Sequence, residues 1–82
     1  MYADIIVDIS HEHLDKTFQY AVPDHLLDKV DIGVMVNVPF GRGNKIITGY
    51  VVNLTKQPSY DILKIKDIKE VVVQRVKAIE RM

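Results

Sequence analysis

Val34-Met35-Val36-Asn37-Val38-Pro39-Phe40-Gly41-Arg42-Gly43-Asn44-Lys45-Ile46-Ile47-Thr48-Gly49-Tyr50-Val51-Val52-Asn53-Leu54 sets the architecture of this chain. Val34, Val36 and Val38 alternate with other residues, the period of a strand with one buried face. Pro39 closes that strand, because proline cannot donate to a ladder. Gly41 to Lys45 forms a flexible hairpin tip, where glycine and asparagine tolerate positive φ. Ile46 to Leu54 is the longest strand. Gly49 inside it marks a bulge or a close approach of two backbones.

The same period runs outward from this hairpin. In residues 2–9, Ala3, Ile5, Val7 and Ile9 share one face, and Tyr2, Asp4, Ile6 and Asp8 the other. Ser10 to Asp15 is a polar loop. Residues 16–22 form a second strand with Phe18, Tyr20 and Val22 on one face, ended by Pro23. Pro23 to Asp28 suits one short helical turn, and Asp31-Ile32-Gly33 turns the chain. Gln57 to Asp61 is a surface loop. Leu63 to Val73 reads as a fifth strand bent near Asp67, and Gln74 to Met82 as a charged, helix-compatible tail. No repeat, heptad array or low-complexity tract is present. The expected fold is mainly β: a small barrel-like or strongly curved antiparallel sheet of five to six strands, with one short helical turn and a C-terminal helix. A flat sheet of this size would leave adhesive edges. Residues 1–73 are expected to form one domain and 74–82 a tail.

Composition narrows the function. Apolar residues make up 48% of 82 residues, enough for a thin core. There is no cysteine, hence no disulfide framework and no thiolate metal site. No basic-then-apolar leader and no run near the roughly 20 residues of a membrane span occurs. The chain reads as soluble and cytosolic. Net charge is zero but unevenly spread. Residues 1–41 hold two lysines against seven acids, a balance of −5. Residues 42–82 hold nine basic residues against four acids, +5. That asymmetry can put a basic face on a neutral protein.

Catalytic and metal chemistry find little support. His11-Glu12-His13, with His25 beyond, offers zinc-type ligands but no fixed helical face, so a solvated loop is the better reading. Ser10, His11 and Asp8 or Asp15 are close in sequence, yet nothing orients a base toward a nucleophile. Asp4 and Asp8 read as solvent-facing acids. Gly41 and Gly43 sit in a hairpin, not in a phosphate loop before a helix. Neither an enzyme nor a cofactor is expected for this chain taken alone.

The aromatic residues are more informative. Phe18, Tyr20, Phe40 and Tyr50 lie at or near strand ends beside proline or glycine, and Arg42 and Lys45 adjoin Phe40. A thin core would also claim Phe18 and Phe40. Aromatic rings interleaved with basic residues are what single-stranded nucleic acid binders use, stacking bases while lysine and arginine hold phosphates. Lys64 and Lys66 share a strand face in this reading, either protecting an edge or meeting phosphate.

Four blocks stand in order: Thr17-Phe18-Gln19-Tyr20-Ala21-Val22-Pro23; Gly33-Val34-Met35-Val36-Asn37-Val38-Pro39-Phe40-Gly41-Arg42; Thr48-Gly49-Tyr50-Val51-Val52; and Ile65-Lys66-Asp67-Ile68-Lys69-Glu70-Val71. Together they resemble the N-terminal 3′-DNA-binding domain of the primosomal replication-restart helicases, the PriA (primosomal protein N′) family, over about residues 3–73. The resemblance implies a module that captures the 3′ end of the nascent leading strand at a stalled fork, in a pocket for the terminal nucleotide with its free 3′-hydroxyl. It implies DNA, as a single-stranded 3′ end or a branched fork, and the remaining helicase domains as partners, with no membrane. The family pocket maps onto Phe18, Gln19, Gly41 and Lys66. Tyr20, Phe40 and Arg42 join them from the aromatic and basic pattern. Gln19 stands where the family has aspartate, and Met35 where it has arginine. Strand neighbours point to opposite faces, so Phe18 and Gln19 share a pocket only at a bend or strand end. The family's ATP-driven motor has no counterpart in these residues. The rival reading is a small β-barrel that docks on another protein, and salt separates the two, because DNA binding weakens steeply with ionic strength.

Overall fold

A computed structural model of the chain describes residues 1–7, 17–59 and 61–72. Five strands form one antiparallel sheet: β1 Tyr2–Val7, β2 Phe18–Ala21, β3 Met35–Phe40, β4 Lys45–Thr55 and β5 Glu70–Val71, in the spatial order β2-β1-β4-β3-β5. Two 3₁₀ turns, Asp24–Leu26 and Ile62–Lys64, complete the regular structure of these residues. The loop expected over Ser10–Asp15 with its histidine cluster, the end of the domain at residue 73 and the helical tail 74–82 lie outside the described residues.

Alternation produces the core as expected. Ala3, Ile5 and Val7 from β1 meet Val36 and Val38 from β3 and Val51 from β4, all buried. Gly49 is the close approach. A Cβ there would lie 2.5 Å from Ile5 Cγ2 and 2.9 Å from the Ile6 carbonyl oxygen. The β1–β4 pair also carries a bulge. Asp4 pairs with Asn53, but Ile5 pairs with Val51, so Val52 is an extra residue. Val52 and Asn53 therefore both face solvent, and Leu54 returns to pack against the core beside Ala3.

The sheet curls without closing into a barrel. β2 and β3 are separated by β1 and β4, which in a flat sheet would place them about 14 Å apart. Instead the Phe18 and Phe40 ring centroids are 5.2 Å apart, and the Tyr20 hydroxyl donates to the Pro39 carbonyl at 2.8 Å. The segment before β5 ties the two sides together. Ala21 N–H donates to Lys66 O and Ile68 N–H to Ala21 O on the β2 side, and Lys69 N–H donates to Asn37 O on the β3 side. Ile68, buried between them, fills the fold.

The fifth strand is the main departure from the sequence reading. Among the described residues only Glu70 and Val71 pair with β3. Asp61 starts a 3₁₀ turn instead, its side chain accepting from Leu63 N–H at 3.0 Å. That local bond competes with extension. Residues 66–68 then bridge to β2 through a single parallel contact, Ala21 with Asp67.

Candidate nucleic-acid interface

The parallel contact of Ala21 with Asp67 would, if continued, set residue 65 opposite Gln19. The 3₁₀ turn carries the chain away first. The gap left beside β2 is a cavity of about 270 Å³, lined by Phe18, Gln19, Tyr20, Phe40, Gly41, Lys64 and Lys66. Six of the seven residues singled out from the sequence thus surround one space. The seventh, Arg42, is exposed at the hairpin tip and does not line it. Lys64 joins the lining. Its pairing with Lys66 was visible in the sequence, but its place beside the aromatic rings depends on the 3₁₀ turn.

Each wall has a physical origin. Phe18 and Phe40 meet edge to face at 81°, a favoured aromatic geometry. Both are half-buried, so they support the core and still present surface to the cavity. Tyr20 is buried, and its hydroxyl bond to Pro39 pins the β2 wall to the end of β3.

Gln19 resolves the problem of neighbouring strand residues. Its side chain is turned away from that of Phe18. The amide nitrogen donates to Asp4 Oδ1 at 3.1 Å, the amide oxygen accepts from Ser59 N–H at 2.6 Å, and Asn53 Nδ2 donates to Asp4 Oδ2 at 3.2 Å. This network accounts for a glutamine only 5% exposed. The backbone faces the other way. Val22 N–H donates to Met1 O, so Val22, Tyr20 and Phe18 direct their peptide groups at β1. Ala21 and Gln19 direct theirs off the edge, Ala21 to residues 66–68 and Gln19 toward the cavity. Gln19 therefore supplies a peptide N–H and C=O.

Gly41 has φ +77°, and a Cβ there would meet no atom within 4 Å. Glycine is required for the turn and leaves open space. Its carbonyl is already engaged, accepting from Asn44 N–H at 3.1 Å and from Lys66 Nζ at 2.7 Å. Lys66 is thereby held at the cavity wall with ammonium hydrogens to spare. Among the described residues no cluster of three or more histidine, aspartate or glutamate side chains has a metal-binding arrangement. No helix among them is long and apolar enough to cross a membrane.

Flat apolar walls, a peptide edge turned to the cavity and two lysines on a small curved sheet are the equipment of a nucleic-acid-binding module. The comparison with known proteins agrees. Residues 4–81 match the PriA 3′DNA-binding domain (3′BD). Replication restart protein PriA of Bacillus subtilis (strain 168) is 32% identical over 69 residues, which are 84% of this chain and 8% of that protein. The chain belongs to the PriA 3′DNA-binding domain family, and is thus a DNA-binding module. It spans less than a tenth of the length of that relative.

Proposed function

We propose that the cavity receives the 3′-terminal nucleotide of a DNA strand, as at the nascent leading-strand end of a stalled fork, within a cytoplasmic replication-restart helicase whose motor lies in other domains. The observation that carries this reading is the convergence of Phe18, Phe40, Lys64 and Lys66 on one cavity of about 270 Å³. That volume lies just below the roughly 300–1,000 Å³ of small-molecule pockets, a fit for one nucleotide and not for a run of them. The rings pack against sugar or base, the lysines neutralise the phosphate, and the Gln19 peptide edge offers a donor and an acceptor to the 3′-hydroxyl. Backbone groups read a hydroxyl without reading the base, so binding is expected to be indifferent to base identity.

Fluorescence anisotropy with short single strands ending in a 3′-hydroxyl, a 3′-phosphate or a capped 3′ end tests the proposal. Preference for the free hydroxyl, lost in Phe18→Ala, is expected. Equal binding to all three ends would refute end recognition and leave a generic basic surface.

A further inference from the structure

We propose that a second groove beside the cavity holds the next nucleotide of the strand, so that the DNA leaves the terminal site over Lys66 along a defined path. The inference rests on the terminal-nucleotide reading above. The groove is about 440 Å³, more open than the first, and its apolar lining comes from Pro39, Ile46 and Ile68. Asn44, Lys69 and Asp67 supply its polar groups. Lys66 lines both spaces. Its ammonium donates to the carbonyl of Gly41, in the wall of the first space, at 2.7 Å.

A single strand is a chain of apolar sugar and base surfaces joined by anionic phosphates, and proteins that track it pair apolar platforms with cations. That alternation is laid out here. The cavity takes the terminal nucleoside, Lys66 the phosphate joining the two nucleotides, and the Pro39–Ile46 surface the second sugar and base. Lys69 then faces the phosphate beyond. Ile46 is 46% exposed opposite Pro39, while Ile47 and its β3 partner Val38 pack inward, so it is an apolar side chain left for such a contact. Among the described residues no aromatic ring lines this groove, so it adds affinity without reading the base. Asp67 opposes it, the one carboxylate among the described lining residues.

NMR titration of the full 82-residue chain with thymidine 5′-monophosphate and with the dinucleotide pTpT, both bearing a free 3′-hydroxyl, tests this. The mononucleotide should shift resonances of Phe18, Gln19 and Gly41. The dinucleotide should shift these and also Asn44, Ile46 and Lys69, and bind about three- to tenfold more tightly, the scale of one exposed cation–phosphate pair and a small apolar contact. Lys69→Ala should abolish that gain and leave mononucleotide binding at the parent level, whereas Asp67→Asn should enlarge the gain. If both ligands shift only the cavity and bind equally, or if Lys69→Ala weakens both equally, the second site is wrong and the terminal site stands. If neither ligand shifts the cavity residues, both readings fall.

Discussion

Replacing Lys66 by alanine separates the electrostatic part of DNA binding from the stability of the fold. In the parent, Lys66 Nζ donates to the Gly41 carbonyl at 2.7 Å, and that bond is solvent-exposed. Its loss should cost about 1 kcal/mol of folding stability or less, because an exposed hydrogen bond exchanges readily with water. Binding should change in a more diagnostic way. Each phosphate neutralised on a single strand contributes about −0.7 to the slope of log affinity against log salt. With the terminal nucleotide's one phosphate shared by Lys64 and Lys66, the parent should lose about 2.6-fold in affinity between 50 and 200 mM salt, and Lys66→Ala less, its slope falling toward zero as that neutralisation is lost. A further contact at Lys69 adds the same increment to both proteins and leaves their difference intact. Anisotropy titrations at four salt concentrations give the two slopes, and a thermal melt confirms that the variant is folded. Lys66→Arg should restore the slope. Parallel lines for the parent and Lys66→Ala would refute a phosphate contact at this residue, whatever the change in affinity at any single salt concentration.

Three other perturbations test the frame that holds the cavity. Gly49→Ala forces a methyl to within 2.5 Å of Ile5 Cγ2 and 2.9 Å of the Ile6 carbonyl, so urea denaturation should show a loss of about 1–3 kcal/mol or more from overpacking a rigid backbone contact. Tyr20→Phe keeps the ring but removes the 2.8 Å bond to the Pro39 carbonyl; a loss of about 1 kcal/mol is expected in the same assay, with a smaller fall in affinity as the two cavity walls loosen. Gln19→Asp, which restores the residue the family resemblance implies, sets a second carboxylate beside Asp4, now 3.1 Å from the Gln19 amide nitrogen. Like charges on neighbouring strands repel, so the deficit against the parent should be about 1 kcal/mol near neutral pH and vanish when Asp4→Asn is added; a deficit that survives Asp4→Asn would point to lost hydrogen bonds instead.

Strand alternation made β1, β3 and β4 legible, because one buried face imposes its period on the sequence directly. The helical turn after Pro23, the turn at Gly33, the left-handed Gly41 and the close approach at Gly49 were legible for a related reason: proline and glycine carry their conformational limits with them. The segment from Leu63 onward misled because its alternation is real but unused. Asp61 caps a turn, Leu63 is left 89% exposed, and Ile68 is buried by closing the curl rather than by a ladder. Curl itself has no local signature. It is expressed in pairs such as Tyr20 with Pro39 and Phe18 with Phe40, 19 and 22 positions apart in sequence. The burial of Gln19 was equally hidden, since Asp4 and Ser59 lie 15 and 40 residues from it.

Gln19 shows why a departure from the family pattern need not reach the cavity. In Phe18-Gln19-Tyr20 the two rings fall on the concave side of the curled sheet, and the glutamine side chain on the convex side with Asp4 and Asn53. An aspartate in that place would be a poor neighbour for Asp4, whereas an amide donates to Asp4 and accepts from Ser59 at once. The exchange of acid for amide therefore suits the outer network of this particular chain. What residue 19 turns toward the cavity is its peptide group, and every amino acid except proline carries the same one. A terminal site that relies on that peptide, on the open space at Gly41 and on Lys66 is insensitive to whether residue 19 is acid or amide. Preference for a free 3′-hydroxyl should accordingly survive both Gln19→Asp paired with Asp4→Asn and Gln19→Glu, once each variant's folded fraction is taken into account. Loss of that preference in a variant that folds like the parent would move the reading of the hydroxyl from the backbone to the side chain.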